Sequence, residues 1–208
     1  MTPCYDMTTA AGDAANGGFT SNGSNNVAFT PEQEAGLNVH NTQRALHGAQ
    51  AMTLSAALNA DAQSYADQLA AGTASGHDPA LQSLGQGENL FNSCCNQPVD
   101  YSQATMLWYN EFIAPGYDFN DMSTWQSGAG HWSQVVWDSS TELGMGHAFD
   151  SDGRLHVVAR YSPAGNMLGA FESNVFPLTN AGKKKRSVRS VGDREDFDEL
   201  EKKKNKSG

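Results

Sequence analysis

The sequence predicts a single α+β domain over residues 30–178, and three observations carry that expectation. Segments with helix start signals and apolar residues at helical spacing fill the first half of the chain. Two strand-like stretches joined by Asp150-Ser151-Asp152-Gly153 occupy the second half. Helices precede strands instead of alternating with them, which favours α+β over a parallel doubly wound sheet.

The elements follow in order. Thr30-Pro31-Glu32-Gln33 is a helix start: an N-cap hydroxyl, proline at the first helical position and Gln33 to close a capping box. Leu37, His40, Asn41, Arg44 and Ala45 continue at helical spacing, and Gly48 ends the run. A second helix starts near Ser55 and keeps Leu58, Ala62, Tyr65, Ala66 and Leu69 on one stripe until Gly72. Residues 73–99 show no period. A third helix is expected over 101–113, with Ala104, Leu107, Trp108 and Glu111 on one face. Residues 114–130 read as loop and His131–Trp137 as a short helical piece. Leu143–Phe149 and Leu155–Ser162 read as the strands, and there is no internal repeat. On either side, residues 1–29 read as a flexible leader of Thr, Ala, Gly, Asn and Ser, and residues 179–208 as a charged, disordered tail.

Composition excludes several classes. Of 208 residues, 38% are hydrophobic and only 17% charged, which rules out a coiled coil, a collagen-like chain and a highly charged disordered protein. No stretch approaches the roughly 20 consecutive apolar residues of a transmembrane segment. Residues 1–180 hold 17 acidic and 3 basic side chains, and the first lysine is Lys183. A body this acidic has no counter-charge for a phosphate backbone, so no nucleic-acid partner is expected. Cys4, Cys94 and Cys95 form no disulfide framework. The start, Met1-Thr2-Pro3-Cys4-Tyr5-Asp6, lacks the basic and apolar regions of a signal peptide. Either export is not classical, or residues precede this start.

Two histidines, His77 and His131, sit in glycine-flanked loops, and two carboxylates could meet them. Glu88 lies eleven residues after His77, and Glu111 lies on an otherwise apolar helix face, where it needs a compensating partner. Two imidazoles and two carboxylates can hold a divalent metal or move protons. His40 reads as a packing and hydrogen-bonding residue, and His147 and His156 as strand residues facing solvent or neighbours. Trp108, Tyr109, Trp125, Trp132 and Trp137 read as core and cleft wall. The run Lys183-Lys184-Lys185-Arg186 fits a processing site, an import-like cluster or a solvated tail, the last being the expectation.

Gly130-His131-Trp132-Ser133-Gln134-Val135-Val136-Trp137 resembles the signature of the CAP superfamily of cysteine-rich secretory, antigen 5 and pathogenesis-related proteins. His40-Asn41-Thr42-Gln43-Arg44, Gly87-Glu88-Asn89, Trp108-Tyr109-Asn110-Glu111 and Tyr161-Ser162-Pro163-Ala164-Gly165-Asn166 resemble further family blocks, in order. The ending from Val157 to Val175 is most similar to the Golgi-associated pathogenesis-related type. The resemblance implies a three-layer α-β-α sandwich whose cleft carries His77, Glu88, Glu111 and His131. It implies that the two imidazoles can ligate Zn2+ or another divalent ion, with the carboxylates beside them. Met145 and Ala159 stand where secreted members often have cysteine, so their usual disulfides cannot form. Thr2 stands where the Golgi-associated subgroup's myristoylation signal needs glycine.

The expected function is that of a non-enzymatic CAP-domain protein. It is expected to be secreted, or else held on the cytoplasmic face of Golgi or other membranes, and to bind an amphipathic lipid or sterol, a membrane surface or a protein receptor. The alternative is a zinc-dependent hydrolase or peptidase using His77 and His131 as ligands and Glu88 or Glu111 as general base. No HExxH helix and no nucleophile–base motif supports it.

Overall fold

The computed structural model describes residues 28–93, 97–123 and 125–179. All but three residues of the expected leader and tail, and Cys4, Cys94, Cys95 and the Lys183–Arg186 run, lie outside the described residues. Helix α1 (Pro31–His47) starts on the expected capping box: Thr30 Oγ1 accepts from the Gln33 amide and Gln33 Oε1 from the Thr30 amide. Strand β1 (Thr53–Leu54) leads into α2 (Ala56–Ala70), and a short α3 (Leu81–Leu84) precedes β2 (Gly87–Ser93). Helix α4 (Tyr101–Asn110) gives way to a π-turn (Phe112–Gly116), followed by α5 (Gly130–Val135), β3 (Glu142–Phe149) and β4 (Leu155–Ser162). None of the helices described is long and apolar enough to cross a membrane.

The sheet order is β1-β3-β4-β2, with β1 parallel to β3 and the other pairs antiparallel. Helix α2 covers one face and α1, α4 and α5 the other, giving an α-β-α sandwich. Alternation along β4 separates the layers: Val157, Ala159 and Tyr161 join the core of α1, α4 and α5, whereas Val158 packs with Ala62, Tyr65 and Ala66 of α2. On β3 the same alternation puts Met145 against Gly36 of α1, and Gly144 and Gly146 against α2. Strand β1 is only two residues long, so α1 and α2 complete the β3 edge with side chains. Asn59 Oδ1 accepts from the Met145 amide, Gln63 Oε1 accepts from the His147 amide, and Gln33 Nε2 and Gln63 Nε2 donate to the Met145 and His147 carbonyls. An edge paired this way offers no ladder to another chain.

Two elements differ from the sequence reading. Residues 73–99 contain α3 and β2. Gly87, Glu88 and Asn89 are all buried, so β2 shows no polar–apolar alternation to announce it. The third helix ends at Asn110, because Pro115 lies in the π-turn that follows. Its buried face runs through Ala104, Thr105 and Trp108, and Leu107 points outward, 46% exposed. Of the aromatic set, Trp108, Tyr109, Trp132 and Trp137 are core, and Trp125 is half exposed.

His40 is a buried structural residue, as expected. Its Nδ1 donates to the Gly36 carbonyl at 2.8 Å, leaving Nε2 to accept from Tyr161 Oη at 2.9 Å. His47 is buried beside Tyr109 Oη and the Phe176 carbonyl. Burial lowers the His40 pKa from 6.5 to about 4 and lowers that of His47 as well.

The close approach of α2 to β3 yields one prediction. A Cβ at Gly146 would overlap the Gln63 backbone, which cannot step aside as a side-chain tip could. Gly146→Ala should destabilise the domain by about 1–3 kcal/mol, read as a lowered denaturation midpoint. An unchanged midpoint would refute so tight a contact. The buried imidazoles yield another. In the unfolded chain they take up protons below about 6.5, but in the fold His40 resists protonation until about 4, so stability should fall as the pH drops through that window. His40 accounts for on the order of 3 kcal/mol of this fall. Equal denaturation midpoints at pH 7 and pH 4.5 would contradict it.

Candidate functional site: a His/Glu cleft

The site grows out of the first three residues of β2, where alternation sends adjacent side chains to opposite faces of the sheet. Glu88 stands opposite Arg160 of β4 and points to the α2 side. Asn89 stands opposite Ala159 and beside Tyr161, on the α1/α5 side. Glu88 Oε1 receives His77 Nδ1 at 2.8 Å and the Asp78 amide at 3.2 Å. Asn89 Nδ2 donates to the His131 carbonyl at 3.0 Å and to Tyr161 Oη at 3.1 Å. One dipeptide therefore fixes both histidine segments. Gly87 is required by crowding, since a Cβ there would run into the Gln134 amide.

The second pair is built at the other wall. Glu111, the residue that caps the C-terminus of α4, accepts His131 Nδ1 on Oε1 at 2.6 Å. Its Oε2 accepts the backbone amides of His131 at 2.9 Å and Trp132 at 3.1 Å. These amides open α5 and have no partner inside the helix, so the carboxylate satisfies two orphan donors. The partner that a carboxylate on an apolar helix face needs is thus the start of α5. Residues 163–166 close this wall. The Gly165 amide donates to Gln134 Oε1, Ser133 Oγ donates to Asn166 Oδ1, and Asn166 Nδ2 donates to the Gly130 carbonyl.

All four residues predicted from the sequence line one cleft of about 660 Å³, together with Gln82, Gln86, Trp125 and Met167. Both ring Nδ1 atoms face carboxylate oxygens, so in the neutral imidazole Nδ1 carries the proton and Nε2 the lone pair. The bond to Glu88 raises the His77 pKa above 6.5, outweighing burial, which lowers it. No group of three or more His, Cys, Asp or Glu side chains placed to hold a metal ion occurs among the described residues. The donor set is compatible with a metal held by two imidazoles, each oriented by a carboxylate, with solvent in the other positions.

Arg160 carried no role in the sequence reading. Its side chain and that of Glu88 are both 0% exposed, with Nε 3.3 Å from Glu88 Oε2. Its Nη2 donates to Asp78 Oδ2, and its guanidinium lies 5.2 Å from the centre of the Tyr65 ring. The signal was available: an arginine inside Val157-Val158-Ala159-Arg160-Tyr161 has to be buried, and a buried charge needs a partner.

Comparison with known proteins agrees with this architecture. The human Golgi-associated plant pathogenesis-related protein 1 is 39% identical over 144 residues, covering 68% of this chain and 90% of that protein. The Candida albicans secreted protein RBT4 is 34% identical over 168 residues, 78% of this chain but only 42% of that protein. The crystal structure of NaASP2 with Zn2+ superposes with a TM-score of 0.59 at 24% identity, covering 78% of this chain and 94% of that one, and shows the same fold. Residues 37–161 match the model of the family described as "CAP: Cysteine-rich secretory protein family", and with the relatives this shows that the chain belongs to the CAP family.

Proposed function

We propose that this chain is a non-enzymatic CAP-domain binding protein whose cleft holds a divalent metal ion loosely through His77 and His131. The observation that carries this reading is that each imidazole has Nδ1 engaged by a carboxylate, so the cleft offers two Nε2 lone pairs. A hydrolytic zinc site is built on three protein ligands and one activated water. Glu88 and Glu111 are poorly placed to supply the third ligand or to act as base. Glu111 already accepts three hydrogen bonds, and Glu88 is buried against Arg160. Bound metal would supply a point of positive charge for a ligand headgroup, and the residues of the chain would orient it.

The partner class follows from the cleft mouth. Trp125 and Met167 line the cleft and are each more than half exposed, and neighbouring Leu168 is 74% exposed. Apolar side chains presented to water beside a polar cleft suit an amphipathic molecule, with its chain on the rim and its headgroup inside. The body is too acidic to be drawn to an anionic membrane by charge, so a lipid or sterol would be bound through these apolar contacts. The working compartment is taken to be extracellular or a membrane surface, in keeping with relatives named as secreted and as Golgi-associated.

Zinc titrated into the domain at pH 7.5 should bind weakly, and His77→Ala and His131→Ala should each abolish the calorimetric signal. Acidification should release the ion, beginning above pH 6.5 because the His77 pKa is raised. Binding retained in the double variant would exclude these ligands. The zinc-loaded protein should hydrolyse neither peptides nor esters, yet should co-sediment with neutral, sterol-containing vesicles, less so after Trp125→Ala with Met167→Ala. Zinc-stimulated turnover that disappears in Glu88→Gln or Glu111→Gln, with folding intact, would establish a hydrolase instead.

A further inference from the structure

The described residues contain three cations, in three different environments. Arg154 lies on the β3–β4 turn, more than half exposed. Arg44 is buried and spends all its donors on backbone carbonyls: Gln50, Val135, Trp137, Asp138 and Ser140. Only Arg160 meets side chains of the cleft.

It touches Glu88 directly and acts on His77 through Asp78, the next residue in the chain. Through Nη2 it grips Asp78, the residue bonded directly to His77 in the chain. Through Nε it faces Glu88 Oε2 at 3.3 Å, a separation of ionic attraction without an aligned hydrogen bond. Asp78 is also fixed from the other side, its amide donating to Glu88 Oε1 and its Oδ1 accepting from the Ala80 amide. Arg160, Asp78 and Glu88 thus close a ring of contacts with His77 hanging from it. Glu88 Oε2 is buried and has no hydrogen-bond donor among the described residues, so the guanidinium is its compensation. Glu111 has no such dependence, because backbone amides hold it.

We propose that Arg160 is the positioning residue of the His77 half of the cleft: its buried guanidinium holds Asp78 and Glu88 in place, so that His77 keeps its proton on Nδ1 and presents Nε2 to a ligand. A neutral side chain at 160 frees Glu88 to turn away from Nδ1, and the bond that selects the tautomer is lost. Lysine does not replace arginine here, because a point charge cannot reach Asp78 and Glu88 together as the planar fork does. What is said of metal rests on the two-imidazole reading given above.

The test is heteronuclear NMR of the ring nitrogens in metal-free protein at one fixed alkaline pH, where the imidazoles are neutral, for wild type, Arg160→Met, Arg160→Lys and Asp78→Asn. Each sample is then titrated with zinc chloride by calorimetry. In the wild type His77 should show one dominant Nδ1–H tautomer. In Arg160→Met and Arg160→Lys it should become a mixture, while His131 keeps the wild-type signature. Zinc affinity should fall about 10- to 100-fold, the usual effect of losing a group that orients a ligand. Asp78→Asn releases one grip without removing the buried cation, so it decides the matter if the Arg160 variants do not fold. It should shift the His77 signature in the same direction, by less. A His77 tautomer and a zinc affinity within twofold of wild type in a folded variant would overturn the proposal, as would equal changes at His77 and His131, which indicate a general loosening. If the wild type binds no zinc but the tautomer still shifts at His77 alone, Arg160 stands as the positioning residue and the metal reading falls.

Discussion

A Cβ at Gly87 would collide with the Gln134 amide, and that tight seam between β2 and α5 is the constraint on which the cleft depends. Because β2 lies so close, Glu88 and Asn89 reach opposite faces of the sheet with short side chains, one to the His77 loop and one to the His131 carbonyl. The same Gln134 amide accepts from Gly165 and donates to Ser140, so the closing segment 163–166 is keyed to the same seam. A larger residue at 87 would have to displace the Gln134 side chain from its bonds to Gly165 and Ser140, loosening the seam that places Glu88 and Asn89. The blocks around residues 87, 131 and 163 are far apart in sequence, yet they constitute one packing unit.

Among the described residues, the buried charges Arg44, Glu88 and Arg160 are each met by polar or charged groups within contact distance. Arg44 lies at the C-terminal end of α5, where unpaired carbonyls present partial negative charge, and five carbonyl contacts replace its water. Burial still lowers its pKa to about 10, which leaves it charged at any physiological pH. Glu111 makes the mirror-image arrangement at the opposite end of the same helix. One six-residue helix is thus tied down by a cation at one end and an anion at the other, and it carries His131 between them. Most of the other carboxylates among the described residues are exposed, where their field favours a cation over an anion.

What could be read from the sequence was what local chemistry dictates. The capping box of α1, the stripe of α2 and the β3–β4 hairpin each depend on residues within a few positions of one another, and each lies where the sequence places it. Strand β2 escaped because its first three residues are all buried and its polar residues there serve the site rather than a solvent face. Leu107 was placed on the wrong face because Ala104, Trp108 and Glu111 set the buried stripe and Leu107 lies just beside it. Residue chemistry singled out His77, Glu88, Glu111 and His131 and the family resemblance fell on the same four, but the pairing of His77 with Glu88 and of His131 with Glu111 could not come from spacing. Arg160 went unassigned because its partners, Asp78 and Glu88, are more than 70 positions away.

The two halves of the cleft therefore differ in how they can change. Glu111 is held by main-chain amides, which no substitution removes while α5 keeps its start, so the His131 half is as robust as the helix itself. Glu88 is held by the Arg160 side chain together with the Asp78 amide, and the same arginine grips Asp78, so the His77 half depends on position 160. A change at position 160 reaches one imidazole and spares the other, a separation that the near-symmetry of two His–Glu pairs conceals. The fold thus supplies one rigid donor and one adjustable donor. The adjustment lies in β4, beneath the cleft and out of reach of any ligand inside it.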